Sequence, residues 1–295
     1  MCPSNDDILA FSPVLREPAA SGASVDEQVA ELARRYSERA EAYDRLWSPV
    51  LQSVARRLLE HLALARAADV LDVGTGAGAL LPLIRQAAPR ARVLGIDNAE
   101  GMLRLARGRH PGPLAQMNVE RIGLPSGRFD IAVIAFVLFH LACPDRCLTE
   151  VCRVLRPGGM AGTATWGAER WPAADDIWDR ELTRAGAATY TLPAVQNRSC
   201  CDSEPKVRKL LHAAGFKSVR TWQERLVYRW PAPSHFEYQM LVTSRARLES
   251  LGTPARAECL RRIRRRLADA AEDDYVYTGE VICAVASKPG PPGRT

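Results

Sequence analysis

Alternating glycines and two aspartates form the stretch of this sequence best suited to hold a ligand. An apolar run from residue 68 carries Asp72 and ends in Gly74, Gly76 and Gly78. Glycine has no Cβ, so it accepts a positive φ and lets a ligand approach the backbone closely. Asp97 follows about twenty residues later, where α/β folds place an acid on a ribose. These residues predict a site for a ligand that contains a nucleoside.

The charge of Asp72 distinguishes between two classes of such ligands. The spacing Gly74-x-Gly76-x-x-Ala79 also fits the dinucleotide fingerprint, which on its own is weak evidence. A carboxylate at Asp72 would repel a pyrophosphate and attract a cation. Gly78 adds a third glycine that fits a turn around a compact ligand tail. The pattern favours a cationic ligand, and the absence of a Tyr-x-x-x-Lys pair further disfavours an NAD-dependent dehydrogenase.

Strands and helices that alternate along the chain must position these residues. After the opening strand before Gly74, apolar and β-branched runs predict six more strands, over residues 92–97, 114–118, 128–136, 160–166, 216–230 and 275–286. Helical patterns lie between most of them. This alternation indicates an α/β fold with a largely parallel sheet covered by helices on both faces.

Two helical regions lie outside the alternating pattern. Residues 1 to about 24 hold no steady period and predict a mobile arm. We expect an N-terminal arm and helical lid over residues 1–64 and a catalytic core over 65–295. A helical insertion at about 231–272 separates the last two predicted strands and is a candidate second lid.

Four motifs in order closely resemble the class I S-adenosylmethionine-dependent methyltransferases. They are residues 70–78 with Asp97, then 123–130, 136–141 and 150–159. The later motifs are similar to the branch that contains the ubiquinone and menaquinone biosynthesis methyltransferases and many natural-product enzymes. The similarity runs from about Tyr43 to Thr165.

The resemblance implies a Rossmann-like sheet of seven strands in the order 3-2-1-4-5-7-6, with the last strand antiparallel. The predicted final pair of strands agrees with this independently. The ligand would then lie beyond the carboxyl ends of the strands, where the strand order reverses.

S-adenosylmethionine is the cofactor that the resemblance implies. The glycine turn would face its methionine part, Asp97 would bind both ribose hydroxyls, and Asp72 would lie near the ammonium group. Met102 would pack on the adenine. Family members usually carry an Asp where this chain has Asn118, whose side-chain oxygen still accepts a hydrogen bond, so we expect modestly weaker binding. The full expected set is Asp72, Gly74, Thr75, Gly76, Gly78, Asp97, Asn98, Met102, Asn118, Val119, Ala135 and Phe136.

His140 is the candidate general base, because it follows the fourth predicted strand. A histidine that braces the next helix is the alternative interpretation. Tyr43, Trp47, Trp166 and His235 are candidate residues of the acceptor pocket, together with His140. Each of them also fits ordinary packing.

These features predict an enzyme that transfers a methyl group to O, N or C of a small, partly hydrophobic metabolite of secondary metabolism, by in-line SN2 displacement. Two alternatives stay open. One is a protein of the same fold that catalyses a non-methylating reaction such as cyclisation. The other is an RNA methyltransferase, suggested by the net charge of +6 and the arginine run at residues 261–266. Residues 135–138 lack the Asn/Asp-Pro-Pro-aromatic motif of base-amine methyltransferases, so we do not expect nucleic acid as a partner.

Composition and the N-terminus bound the remaining possibilities. Of the residues, 47% are hydrophobic and 25% are charged, which argues against disorder or a fibrous repeat. No secretion signal or apolar run of ~20 residues is present, so we expect a cytoplasmic protein that does not span a membrane. The eight cysteines lack a metal-binding spacing and are interpreted as reduced thiols, with no metal site expected. A homo-oligomer is left open.

Overall fold

A computed structural model of the chain describes residues 24–189 and 198–290. The predicted arm before Ser24 lies outside the described residues. The strands are β1 (Asp69–Val73), β2 (Arg92–Asp97), β3 (Leu114–Gln116), β4 (Phe129–Ala135), β5 (Leu155–Arg170), β6 (Lys217–Arg229) and β7 (Val276–Ser287). The helices are α1 (Val25–Glu38), α2 (Ala40–Leu46), α3 (Ser48–Glu60), α4 (Leu81–Ala87), α5 (Glu100–Arg107), α6 (Pro144–Val154), α7 (Ala173–Arg184), α8 (Glu204–Ala213), α9 (Ala232–Tyr238), α10 (Arg245–Glu249) and α11 (Thr253–Leu267).

The strands form one sheet in the order β3-β2-β1-β4-β5-β7-β6. β1 runs parallel to β2 and β4, and the parallel pairing extends to β3 on one side and β5 on the other. Val73 pairs with Ile96, so β1 and β2 end at the same edge of the sheet. This register brings the glycine turn after β1 next to Asp97, and the predicted fold class and strand order are confirmed.

β7 runs antiparallel to its neighbours. The N–H of Gly158 donates to the Lys288 carbonyl (3.1 Å), and the N–H of Lys288 donates to the Gly159 carbonyl (2.8 Å), so the end of β7 lies beside the beginning of β5. Two strands differ from the sequence prediction by more than one residue at an end: β5 runs from Leu155 to Arg170 instead of from Met160 to Trp166, and β3 ends at Gln116 instead of Asn118. Gly158, near the start of β5, takes a φ of +78°.

Apolar strands and amphipathic helices make the core around this sheet. All five residues of β1 are buried, as expected for a central parallel strand with helices on both faces. Leu81 and Ile84 of α4 and Leu148 of α6 have no exposed side-chain surface. This packing fixes the carboxyl ends of the central strands, where the candidate site residues lie.

The chain divides into two compact units. In the described part, the first unit contains residues 24–168, 198–226 and 280–290, which hold most of the sheet and α1 to α6. The second unit contains residues 169–189 and 227–279. Its own core is an apolar cluster between its helices, formed by Trp178, Leu182, Leu248, Cys259 and Ile263.

The arginine run at the end of α11 is largely engaged within the second unit. Arg262 and Arg266 bind the buried carboxylate of Glu181 at 2.6 and 2.9 Å. The guanidinium of Arg264 lies over the ring of Phe236, 5.0 Å from its centroid. These contacts give the run a structural role, since an unpaired Glu181 would be buried at a high cost.

The described residues contain neither a membrane-spanning helix nor a cluster of metal ligands. In that part of the chain, no helix combines the length and the apolar character needed to cross a bilayer. Over the same residues, no group of three or more His, Cys, Asp or Glu side chains has the arrangement of a metal site.

Candidate active site

A cavity of about 1190 Å³, open solvent at its mouth included, lies in the first unit beyond the carboxyl ends of β1, β2 and β4. Its wall brings together most of the residues predicted for the site, although they come from separate strands and loops. Those that line it are Tyr43, Asp72, Gly74, Thr75, Gly76, Asp97, Asn98, Met102, Asn118, Val119, Ala135, Phe136 and His140.

The glycine turn contributes two residues with different surroundings. Gly74 has a φ of +71°, and a Cβ placed on it would lie only 2.3 Å from Cγ2 of Val137. Gly76 has a φ of +55°, and a Cβ there would meet no atom within 4 Å. Packing therefore demands glycine at 74, whereas the backbone at 76 is open to a ligand in the cavity.

Asp97 presents both carboxylate oxygens in a fixed orientation. Oδ2 accepts the N–H of Gly76 (2.8 Å), and Oδ1 accepts the N–H of Ala99 (2.8 Å). Burial raises the pKa of Asp97, and these backbone donors oppose the rise. Because a carboxylate oxygen can accept more than one hydrogen bond, the pair is arranged to receive two neighbouring hydroxyls.

Asp72 is a buried carboxylate that borders the same cavity. It is 2% exposed, and Thr75 Oγ1 donates to its Oδ2 at 2.6 Å. Burial raises the pKa of Asp72 to about 7, the Thr75 hydroxyl lowers it, and the nearby charge of Asp97 raises it. A cationic ligand at this wall would stabilise the charged form and be held by it.

The loop after β3 forms another part of the wall. Oδ1 of Asn118 accepts the N–H of Glu120 at 2.9 Å, which fixes the amide. A carbonyl oxygen has two lone pairs, so this oxygen can accept a second donor. Met102 and Val119, 2% and 6% exposed, supply apolar surface of the kind that packs on a flat ring.

Phe136 adopts a strained backbone at the end of β4. Its φ is +60°, and its N–H donates to the Ala164 carbonyl at 2.8 Å. A bulky residue with a positive φ costs free energy and is concentrated at functional sites. Trp166 packs behind it, with ring centroids 4.7 Å apart, and Trp47 packs on Trp166 at 6.3 Å. Both tryptophans were predicted to line the pocket, and the structure places them behind its wall.

Gly78 and His235 are two further predicted residues that do not line the cavity. A Cβ on Gly78 would lie 3.0 Å from Cβ of Ala106, so this glycine lets the turn pack on α5. His235 lies in the second unit, is 1% exposed, and places Nε2 2.6 Å from Oδ1 of Asp175. His235 and Asp175 therefore form a buried polar pair.

His140 lies at the cavity with a partner that sequence reasoning missed. Its Nε2 is 2.9 Å from the hydroxyl of Tyr36, and the two rings meet edge to face at 5.3 Å. Tyr36 belongs to α1 and also lines the cavity. In the sequence it showed only helical spacing with Val29 and Leu32, and nothing local could pair it with a histidine 104 positions away.

Helices α1 to α3 form the remaining wall, which is mostly apolar. Its lining residues not predicted from the sequence are Val29, Leu32, Ala33, Ser48, Leu51, Gln52 and Ala55. Contacts hold these helices on the rest of the first unit: the N–H of Gly101 donates to Ser37 Oγ at 3.1 Å. A Cβ on Gly101 would lie 2.5 Å from the Ser37 carbonyl oxygen, so α1 contacts α5 directly.

Comparison with known proteins agrees with this geometry. The family model described as "Methyltransferase domain" matches residues 71–162. The ubiquinone/menaquinone biosynthesis C-methyltransferase UbiE of Ralstonia nicotianae is 33% identical over 213 residues, which are 65% of this chain and 87% of that protein. The malonyl-[acyl-carrier protein] O-methyltransferase of Methylococcus capsulatus is 36% identical over 157 residues, 52% of this chain and 53% of that protein.

A similar structure supports the fold alone. The [4+2]-cyclase SpnF matches with a TM-score of 0.54 and 19% identity, over 94% of this chain and 100% of that chain. The chain spans only about half of the length of the malonyl relative, but nearly all of the UbiE relative. On these matches, the chain belongs to the class I S-adenosylmethionine-dependent methyltransferases.

Proposed function

We propose that this chain transfers a methyl group from S-adenosylmethionine to an O, N or C atom of a small, partly hydrophobic metabolite of secondary metabolism. The observation that carries the proposal is the shared cavity. It combines a carboxylate fixed by two backbone donors at Asp97, a buried carboxylate at Asp72 and the Tyr36–His140 pair. When bound, the cofactor supplies a methyl group already activated on a sulfonium sulfur.

The residues present fit that cofactor. Asp97 would hold the ribose hydroxyls, and the open backbone at Gly76 would lie along the methionine part. Asp72 would face the ammonium group, because a buried carboxylate needs a positive partner. Asn118 and Met102 would hold the adenine through a hydrogen bond and apolar contact.

The rate of methyl transfer would depend more on how the acceptor is positioned than on the strength of an acid or base. Holding the acceptor in line and excluding water supply most of the rate, and the apolar wall of α1 and α3 suits both tasks. A base is needed only where the attacking atom carries a proton that must leave. The Tyr36–His140 pair, which lines the same cavity, would receive that proton. The names of the two sequence relatives cover O- and C-methylation, so they leave the attacking atom open.

Removing the Tyr36 hydroxyl tests the role of the pair. With an acceptor that must lose a proton, Tyr36→Phe is expected to lower kcat roughly five- to tenfold, because one hydrogen bond worth about 1 kcal/mol orients His140. His140→Ala is expected to lower kcat about 100-fold, the usual contribution of a general base. Both variants should bind S-adenosylhomocysteine as the wild type does.

Steady-state kinetics across pH check this, with Tyr228→Phe as a control because Tyr228 lies in the second unit outside the cavity lining. A shift of the pH profile in Tyr36→Phe would support the pairing. Wild-type turnover in His140→Ala would exclude His140 as the base.

The pH dependence of cofactor binding tests the role of Asp72. Its pKa of about 7 means that acid neutralises the carboxylate and removes the attraction for an ammonium group. Affinity for S-adenosylhomocysteine should fall as pH falls, and be roughly eightfold weaker at about pH 6 than at about pH 7.5 if only the charged form binds. Isothermal titration calorimetry of wild type and Asp72→Asn measures this. The variant should bind weakly and without the pH dependence, and a flat wild-type profile would contradict the assignment.

Screening metabolite pools with methyl-labelled S-adenosylmethionine tests the function as a whole. Mass spectrometry should detect S-adenosylhomocysteine that forms only with an acceptor, and a product that carries the labelled methyl group in place of one hydrogen. A product isomeric with its substrate would instead favour a cyclisation, and a steep salt dependence of RNA binding would favour the nucleic-acid alternative.

A further inference from the structure

The charged side chains that line the cavity all have the same sign. Asp72, Asp97 and Glu120 are carboxylates, and none of the lining residues in the described part of the chain is a lysine or arginine. The imidazole of His140 is the one basic group in that lining, and it is bonded to Tyr36. The cavity is therefore acidic although the whole chain carries a net charge of +6.

Bound S-adenosylmethionine, the methyl donor, would neutralise only part of this negative charge. S-adenosylmethionine brings an ammonium, a sulfonium and a carboxylate, a net charge of +1 against three lining carboxylates. Asp72 would already be paired with the ammonium. An acceptor with a carboxylate or phosphate would enter a carboxylate-rich cavity without a cationic side chain to pair it, which is unfavourable both by desolvation and by like-charge repulsion.

The wall of α1 and α3 is mostly apolar, with Ser48 and Gln52 as its polar side chains besides Tyr36. Val29, Leu32, Leu51 and Ala55 supply apolar surface from α1 and α3. One N–H of the Gln52 amide donates to the Ala79 carbonyl at 3.0 Å. Anion recognition normally uses arginine, lysine or several convergent N–H donors, and the wall of α1 and α3 offers none of these arrangements.

We infer that the acceptor is a largely apolar molecule with a hydroxyl group and no negative charge, and that the cavity selects against carboxylated and phosphorylated acceptors. This inference rests on the proposed function. In the reaction, the O–CH₃ bond forms as the S–CH₃ bond breaks, the bonding electrons stay with sulfur, and the hydroxyl proton passes to the Tyr36–His140 pair. S-adenosylhomocysteine and the methyl ether leave.

A matched pair of probes tests the selection. The probes are para-hexylphenol and para-hydroxyphenylhexanoate, which share the phenol and the chain length and differ in the terminal carboxylate. Calorimetry of the full chain saturated with S-adenosylhomocysteine should show at least tenfold tighter binding of hexylphenol. Turnover with S-adenosylmethionine should follow the same order.

A positive charge added to the wall of α1 and α3 should reduce the preference for the neutral probe over the carboxylate probe. Leu51→Lys places an ammonium group in the cavity lining. The ratio of hexylphenol affinity to carboxylate-probe affinity should fall at least tenfold in this variant. Leu51→Gln makes the same position polar without a charge, so the difference between the two variants measures the effect of the ammonium alone. Thermal unfolding shows that both variants are folded, and the ratio of the two probe affinities within each variant is the quantity compared.

Three results would overturn the inference: equal or tighter binding of the carboxylate probe, binding of neither probe, or an unchanged ratio in Leu51→Lys. None of these results contradicts the proposed function as long as the wild type binds S-adenosylhomocysteine. Failure of S-adenosylhomocysteine itself to bind the wild type would instead remove the proposed function and the inference with it.

Discussion

Replacing Asp97 with alanine is expected to weaken S-adenosylhomocysteine binding about 10- to 100-fold. Loss of a buried hydrogen-bonding carboxylate costs about 1–3 kcal/mol, and about 1.4 kcal/mol corresponds to a factor of ten in affinity. The effect should be large because both oxygens are already oriented by the backbone of Gly76 and Ala99. The ribose hydroxyls would lose two acceptors at once, and the glycine turn would lose the acceptor of its Gly76 N–H.

Calorimetric titration measures this loss, and thermal unfolding separates it from a loss of fold. Asp176→Asn is a matched control, because Asp176 is a half-exposed aspartate of the second unit that is paired with Arg180. The control should bind as the wild type does. An unchanged affinity in Asp97→Ala would discredit the cofactor assignment.

Gly74→Ala is expected to give the largest loss of stability among substitutions in the glycine turn. The new methyl group would lie 2.3 Å from Cγ2 of Val137, and the backbone φ of +71° is unfavourable for alanine. Overpacking and φ strain together predict a loss of about 2–4 kcal/mol in the free energy of unfolding. Val137 lies between β4 and the turn that carries His140, so the strain should also reach the acceptor side.

Gly76→Ala is the matched comparison, because a methyl group there meets no protein atom within 4 Å. Only the φ penalty of about 1 kcal/mol applies to its stability. Its methyl group would instead occupy space that the ligand needs, so it should lose affinity for S-adenosylhomocysteine more than stability. Denaturant unfolding and calorimetry on both variants check the contrast. A larger stability loss at Gly76 than at Gly74 would contradict this description of the turn.

The fold and the cofactor wall could be predicted because their signals are local. Alternating strands and helices fix the sheet type, and a glycine turn after a buried strand fixes its edge. Asp72 is the penultimate residue of β1, and Asp97 is the last residue of β2. Since parallel strands end at one edge of the sheet, sequence alone indicates that the two carboxylates meet.

The acceptor wall could not be predicted in the same way. Tyr36 reaches His140 across 104 positions, and helical spacing shows which residues share a face but not what that face contacts. Trp47 and Trp166 have the residue type of pocket aromatics, yet the packing of Phe136 places them one layer behind the wall. His235 has a chemically useful side chain, but a carboxylate at 2.6 Å accounts for it.

Backbone conformation is the other property that could not be predicted from the sequence. Three glycines at alternate positions look equivalent, but Gly74 is limited by Val137, Gly76 is open, and Gly78 packs on α5. The positive φ of Phe136 could not be predicted, because phenylalanine rarely adopts this conformation and the neighbouring apolar residues give no indication of it. Tertiary packing decides each of these cases.

A crystal structure of the chain with S-adenosylhomocysteine tests the central claim most directly. We predict that the ligand lies along Gly76, with its ribose hydroxyls within hydrogen-bond distance of Oδ1 and Oδ2 of Asp97. Its ammonium group should face Asp72, and its sulfur should point towards the side of the cavity that holds the Tyr36–His140 pair. A ligand bound elsewhere, or one whose ribose makes no contact with Asp97, would contradict the account.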